Sequence, residues 1–184
     1  EDILRNQQAG LLSFGFLASI FLMTNGVNAI FGGFEYSYHV KEVRNVVRAY
    51  VISLGVSLVM AFFLVITVAL IIFYQIGLDK LIARGWLDND IFWLQIGKGF
   101  IFVAMVFTIV SMLYHFGTKS GKHSRFFSPG AIFTTILSIF TFYLFSIYVT
   151  EFSKYNELYG SIGTLLILML FVWLNAIILL LGFE

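Results

Sequence analysis

The sequence predicts an all-α, polytopic membrane protein, a helical bundle whose solvent is mostly lipid. Three observations predict it. Hydrophobic residues make up 60% of the 184-residue chain and charged residues 11%, against roughly 45–50% and 25% in water-soluble domains. Five separate apolar stretches reach the ~20 residues that a helix needs to cross a hydrocarbon core of ~30 Å. None of them alternates polar and apolar residues at every second position, as the strand of a membrane barrel would. A soluble chain of this length would have no way to hide so much apolar surface. In lipid, each backbone N–H and C=O must be satisfied within its own segment, which selects helices.

The spans are expected at about residues 10–34, 50–76, 92–116, 131–149 and 161–183 of a single transmembrane domain. The first holds Thr24, Asn25, Gly26 and Asn28, then Gly32 and Gly33, and reads as a broken or tilted helix facing protein rather than lipid. The second carries Ser53, Ser57 and Ala61 at i, i+4 and i+8, a small-residue stripe that lets helix backbones approach closely; Gly15 and Ser19 do the same more weakly. Between the second and third spans, Leu78, Leu81, Ile82, Trp86 and Leu87 lie among Asp79, Lys80, Arg84, Asp88 and Asp90. That pattern predicts a short interfacial helix near 78–90. The fourth and fifth spans are joined by the short polar run Glu151–Gly160, which makes them a hairpin crossing the bilayer twice.

Basic residues set the orientation. Counted from the N-terminus, the segments outside the spans carry 1, 3, 2, 3 and 1 Lys or Arg. The alternation places 34–49 and 117–130 in the cytoplasm, with Glu1 and the 150–160 turn outside and Glu184 inside. If the full protein starts in the cytoplasm, a piece that begins outside is expected to lack an odd number of spans, most simply one, which gives a six-helix parent of which this piece holds five. No secretory leader pattern opens the sequence. The net charge of +1 offers no basic field for nucleic acid. The absence of cysteine excludes disulfides, thiolate metal sites and cysteine nucleophiles.

Ionisable groups inside the membrane are functional candidates because they are costly there. Lys98 lies about two turns into its span, between Gly97 and Gly99, with Gln95 one turn earlier. Its plain reading is a lysine snorkelling to the outer headgroups. Its functional reading is a cation facing a cavity, ready for an anionic group. Asn25 and Asn28 share a helix face, and Asn175 lies mid-span. They read either as interhelical hydrogen bonds or, with Lys98 and Gln95, as a polar substrate path. At the cytoplasmic end His115, Lys119, Lys122, His123 and Arg125 crowd together without an acid. This basic rim is either a topogenic anchor on anionic headgroups or the place where an anionic lipid or solute is admitted. His39, His115 and His123 follow no metal-ligand spacing. No catalytic residue, metal site or cofactor is predicted, so the chain reads as a non-enzyme.

One series of motifs goes further. Ser128-Pro129-Gly130-Ala131, Tyr148-Val149-Thr150-Glu151-Phe152, Tyr155, Leu158-Tyr159-Gly160-Ser161-Ile162-Gly163, Trp173 and Leu180-Leu181-Gly182-Phe183-Glu184 occur in that order. The series resembles the YihY/virulence factor BrkB family, once labelled ribonuclease BN, over about residues 116–184 and more weakly over about 10–75. Phe183 stands where the family commonly has a small residue, and Asn175 where it often has an aromatic or small one. The resemblance implies a six-helix protein of the bacterial inner membrane, of a transporter-like group linked to envelope lipid handling and serum resistance. The ribonuclease label fits none of the residues.

The expected function is therefore transport or translocation of an anionic lipid or small solute, with membrane lipids as partners and no nucleic acid. The alternative is a structural or accessory subunit, a homo-oligomer or part of a larger envelope complex, in which the small-residue stripes and aromatics serve packing between subunits.

Overall fold

The computed structural model describes residues 2–37, 40, 44–83, 91–117, 126–159 and 161–184. The described residues form five helices and no strand: α1 (Asp2–Glu35), α2 (Val46–Ala83), α3 (Ile91–Gly117), α4 (Pro129–Tyr159) and α5 (Ser161–Phe183). Each contains a stretch long and apolar enough to cross a membrane.

Three of the expected boundaries move. α1 is unbroken through its Asn and Gly residues. The Thr24 hydroxyl donates to the Ile20 carbonyl at 2.8 Å, one turn back on the same helix, and with no competing water in lipid the ladder continues through such residues. α2 runs past the expected end at 76, so Leu78, Leu81 and Ile82 lie on its last turns rather than on a separate interfacial helix; residues 84–90 of that expectation lie outside the described residues. At ~1.5 Å per residue α2 is about 57 Å long, far more than the hydrocarbon core. α4 likewise continues through 151–159, so the polar run expected as a turn is helical. No proline interrupts either extension, and nothing else in them stops a helix that is already nucleated.

The helices alternate in direction and pack in chain order, with α1 also reaching α5 and crossing to α3. The start of α4 is set locally. Ser128 Oγ accepts the Ala131 N–H at 3.1 Å, an N-cap, and Pro129 follows at the first helical position, where a missing N–H is harmless.

One end of the bundle carries the ends of α1, α3 and α5 and the starts of α2 and α4. It is called the basic end here, because Arg44 and Arg48 stand there. The packed core lies toward it: Phe31, Phe34, Leu113, Tyr114 and Ala131 are buried, while Phe14, Phe16 and Leu17 in the other half of α1 are exposed to the surroundings. Phe34 stacks on Phe183 at 4.4 Å between ring centroids, and Tyr114 meets both rings edge-on. Tyr114 Oη also shares a 2.6 Å hydrogen bond with Thr134 Oγ1 and donates to the Leu179 carbonyl at 2.8 Å. A single side chain thus ties α3 to α4 and α5.

α1 and α2 meet through hydroxyls. Ser53 and Ser57 are fully buried. Thr24 Oγ1 and Ser57 Oγ are 3.1 Å apart, and Ser53 Oγ donates to Asn28 Oδ1 at 3.3 Å. The stripe read from the sequence is thus the α1–α2 contact. The weaker pair, Gly15 and Ser19, is exposed: a side chain at Gly15 would meet nothing within 4 Å.

Candidate functional site: a basic groove between two helices

The last carbonyls of a helix lack intrahelical donors, and at the end of α3 one is taken by an arginine from another segment. Arg44, two residues before α2, donates from Nη1 to the Phe116 carbonyl at 2.6 Å. Its backbone N–H donates to Glu35 Oε1 at 3.3 Å, so one residue joins the ends of α1 and α3 ahead of α2. Burial draws the Arg44 guanidinium below its ordinary value, Glu35 opposing and Arg48 adding to the shift. A guanidinium stays charged through such a perturbation.

Beside Arg44 a groove of about 410 Å³ runs between α2 and α3. Ile52, Gly55, Val56 and Val59 form its α2 wall, and Met112 and Phe116 its α3 wall. Arg44 and His115 line it at the basic end. His115 lies edge-on to Phe116, and its Nδ1 is buried with no protein partner. Ser111, one turn deeper on the same face of α3, has a buried hydroxyl in the same condition. Buried polar atoms are nearly always hydrogen-bonded, so two orphans at i and i+4 form a local polar deficit on α3, one of them on a residue that lines the groove.

The substrate path expected from the sequence does not gather into one place. Lys98 is half-buried and donates from Nζ to Gln75 Oε1 on α2 at 3.0 Å, so its head crosses to the neighbouring helix. Gln95 and Asn25 are exposed. Asn28 is engaged with Ser53. Asn175 turns back on its own helix, donating from Nδ2 to the Phe171 carbonyl at 2.9 Å. Between the α-carbons of Lys98 and His115 the rise along α3 is about 26 Å at ~1.5 Å per residue, so these two lie near opposite ends of their span. Of the basic rim, His115 is in the groove; Lys119, Lys122, His123 and Arg125 lie outside the described residues. Arg44 entered the sequence reading only as a loop charge. Nothing in its neighbourhood, Val43-Arg44-Asn45, signals that it caps a helix 72 residues away.

The motif residues fall into structural roles. Pro129 starts α4, and Gly130 and Gly182 bring α4 against α5. Tyr148 stacks on Phe145 beside an apolar groove of about 490 Å³ between α4 and α5. Gly163 is partly buried on α5. Glu184 Oε1 accepts from Ser37 Oγ at 2.7 Å, which holds the end of α5 to the residues after α1. Tyr159 ends α4, and Gly160 lies outside the described residues. Among the described residues no three His, Asp or Glu side chains stand close enough to hold a metal ion.

The family model for virulence factor BrkB matches residues 1–184. The chain is 34% identical to the ribonuclease-like protein YfkH of Bacillus subtilis over all of its own length and 67% of that protein. It is 38% identical over 56 residues to a UPF0761 membrane protein of Pseudoalteromonas translucida, covering 30% of this chain and 19% of that protein. A UPF0761 membrane protein of Idiomarina loihiensis is 28% identical over 83 residues, 45% of this chain and 29% of the relative. No solved structure matches the chain significantly.

Proposed function

The chain belongs to the virulence factor BrkB family of multi-pass membrane proteins, and on that premise we propose that it is a non-enzymatic transporter or lipid-translocation protein for an anionic lipid or small anionic solute. It acts in the bacterial inner membrane, with its basic end in the cytoplasm. The observation that carries this reading is a pair of cations on the α2–α3 seam, one near each end. Lys98 is held by the neutral amide of Gln75, and the guanidinium of Arg44 by a main-chain carbonyl. Glu35 stands beside Arg44 and accepts a hydrogen bond from its backbone N–H. The side-chain hydrogen bonds of both cations go to neutral oxygens, which leaves charge for an anion arriving from either face. Charges are placed in membranes at a cost that function repays.

The ribonuclease-like name of one relative has no support in these residues. Phosphodiester hydrolysis needs a metal or a positioned acid and base, and among the described residues no such cluster lines the seam.

The test is Lys98→Met in the full-length protein. Folding is retained, because a half-buried lysine about two turns into its span gives way to an unbranched apolar side chain, and transport of the anionic cargo is lost. Transport unchanged by Lys98→Met would overturn the reading. A structural or accessory role is favoured by one observation, the exposed small-residue face at Gly15 and Ser19, which suits a second helix. Purification separates the two: a fixed-stoichiometry partner and no transport by the isolated protein would support the accessory role.

A further inference from the structure

We propose that the groove between α2 and α3 is a binding site for an anionic phospholipid, with the lipid phosphate between Arg44 and His115 and one acyl chain along Val56 and Met112. The proposal rests on the anionic-cargo reading above and gives it a substrate class and a place.

Four observations meet in this groove. Its polar lining is at one end only: the Arg44 guanidinium and the His115 imidazole line the basic end, and every other lining residue is apolar or glycine. A headgroup and a chain are ordered in the same way. Its volume of about 410 Å³ falls in the roughly 300–1,000 Å³ range of small-molecule sites, so it takes part of a lipid while the rest stays in the bilayer. Its depth is right as well. Arg44 lies outside the apolar run that begins near residue 50, on the side of Arg48, whereas Val56 and Val59 lie roughly two turns inside that run. Finally, the Nδ1 of His115 is closed off from the groove and has no protein partner; a turn of the ring in the groove wall would offer it to a phosphate oxygen beside Arg44. The guanidinium already uses Nη1 on Phe116, but its five N–H donors leave others for an oxyanion.

A free phosphate would account for the guanidinium and leave the apolar walls without a purpose. A lipid without phosphate would account for the walls and leave Arg44 without a counter-ion, and a zwitterionic one would bring its own cation to the basic end. An anionic phospholipid answers to both.

The experiment is native mass spectrometry of the full-length protein in mild detergent, with phosphatidylglycerol or phosphatidylcholine added and then removed stepwise. Wild type should retain phosphatidylglycerol at least ~10-fold better than phosphatidylcholine, because the two share the phosphate but the choline cation of the second offsets its charge beside Arg44, a difference of about 1.4 kcal/mol. Arg44→Gln should abolish the preference. Because Arg44 also caps α3, the decisive variant is Gly55→Leu: a Cβ at Gly55 meets nothing within 4 Å, so a larger side chain has open groove to enter, and phosphatidylglycerol retention should fall to the phosphatidylcholine level with the unfolding midpoint kept. Equal retention of the two lipids by wild type, or full retention by Gly55→Leu, would overturn the proposal. The two readings fail separately. Selective lipid binding that Gly55→Leu removes, in a protein that transports nothing, keeps the site and discards the transporter. Transport that Lys98→Met stops, with lipid retention untouched by Gly55→Leu, keeps the transporter and discards the site.

Discussion

Gly130, in the first turn of α4, lies against the main-chain carbonyl of Gly182 at the end of α5, so close that a methyl group on Gly130 would occupy the space of that oxygen. A methyl on Gly182 would in turn run into Thr134 Oγ1. Both obstacles belong to backbone or to a short, hydrogen-bonded side chain, and neither has room to yield. The two glycines are the condition under which Tyr114 reaches Thr134 and Leu179.

Gly130→Ala and Gly182→Ala should each therefore destabilise the protein by about 1–3 kcal/mol or more, the usual cost of overpacking. Gly99→Ala, at a position open for at least 4 Å, should be neutral or slightly stabilising through helix propensity. Thermal unfolding in detergent distinguishes them. Equal midpoints for Gly130→Ala and Gly99→Ala would contradict the close approach.

Tyr114→Phe keeps the aromatic packing on Phe34 and Phe183 and removes two hydrogen bonds. A loss of about 1–2 kcal/mol is expected, since interhelical bonds in membranes average ~0.6 kcal/mol and reach ~1.7. In a double-mutant cycle with Thr134→Val the two changes should be non-additive by at least ~0.5 kcal/mol. Strict additivity would mean that the hydroxyls do not interact.

At the α1–α2 contact, size should matter more than polarity. Ser57→Ala removes one hydroxyl pair and should cost about 0.6 kcal/mol. Ser57→Leu forces a large side chain into a fully buried position and should cost several times more. The order of the two variants in a denaturation series tests whether the stripe serves close approach.

Much of this was legible in the sequence. Apolar length alone locates five spans, and Ser53 and Ser57 at i and i+4 identify the face that meets α1. The boundaries of α2 and α4 were less legible, because polar residues such as Asp79 and Lys80 mark where lipid ends and not where a helix ends. Of the two readings open for the asparagines, Asn28 follows the interhelical one, accepting from Ser53 on α2, whereas Asn175 bonds the Phe171 carbonyl of its own helix, an option that leaves no trace in spacing. The groove was the least legible of all. His115 was visible as a basic residue, but its partner Arg44 comes from a different connection, and only the fold brings the two together. Gly130 and Gly182 were recognisable as motif residues, and the packing of α4 on α5 supplies the physical reason for them.

The absence of cysteine makes orientation directly measurable. A single cysteine at Phe127, which is exposed at the basic end, should react with an impermeant maleimide only from the cytoplasmic side. A single cysteine at Thr150, exposed near the other end of α4, should react only from outside. The opposite pattern would invert the topology read from the basic residues.

The most direct test of anionic-cargo transport uses the purified full-length protein in vesicles that carry fluorescent phosphatidylglycerol in both leaflets, with an impermeant quencher added outside; parallel vesicles enclose a small anionic dye. The account predicts that one of the two cargoes becomes accessible, or escapes, faster than in protein-free vesicles, and that Lys98→Met returns the rate to the protein-free value. Rates for both cargoes equal to those of protein-free vesicles, with the protein folded and inserted, would contradict it.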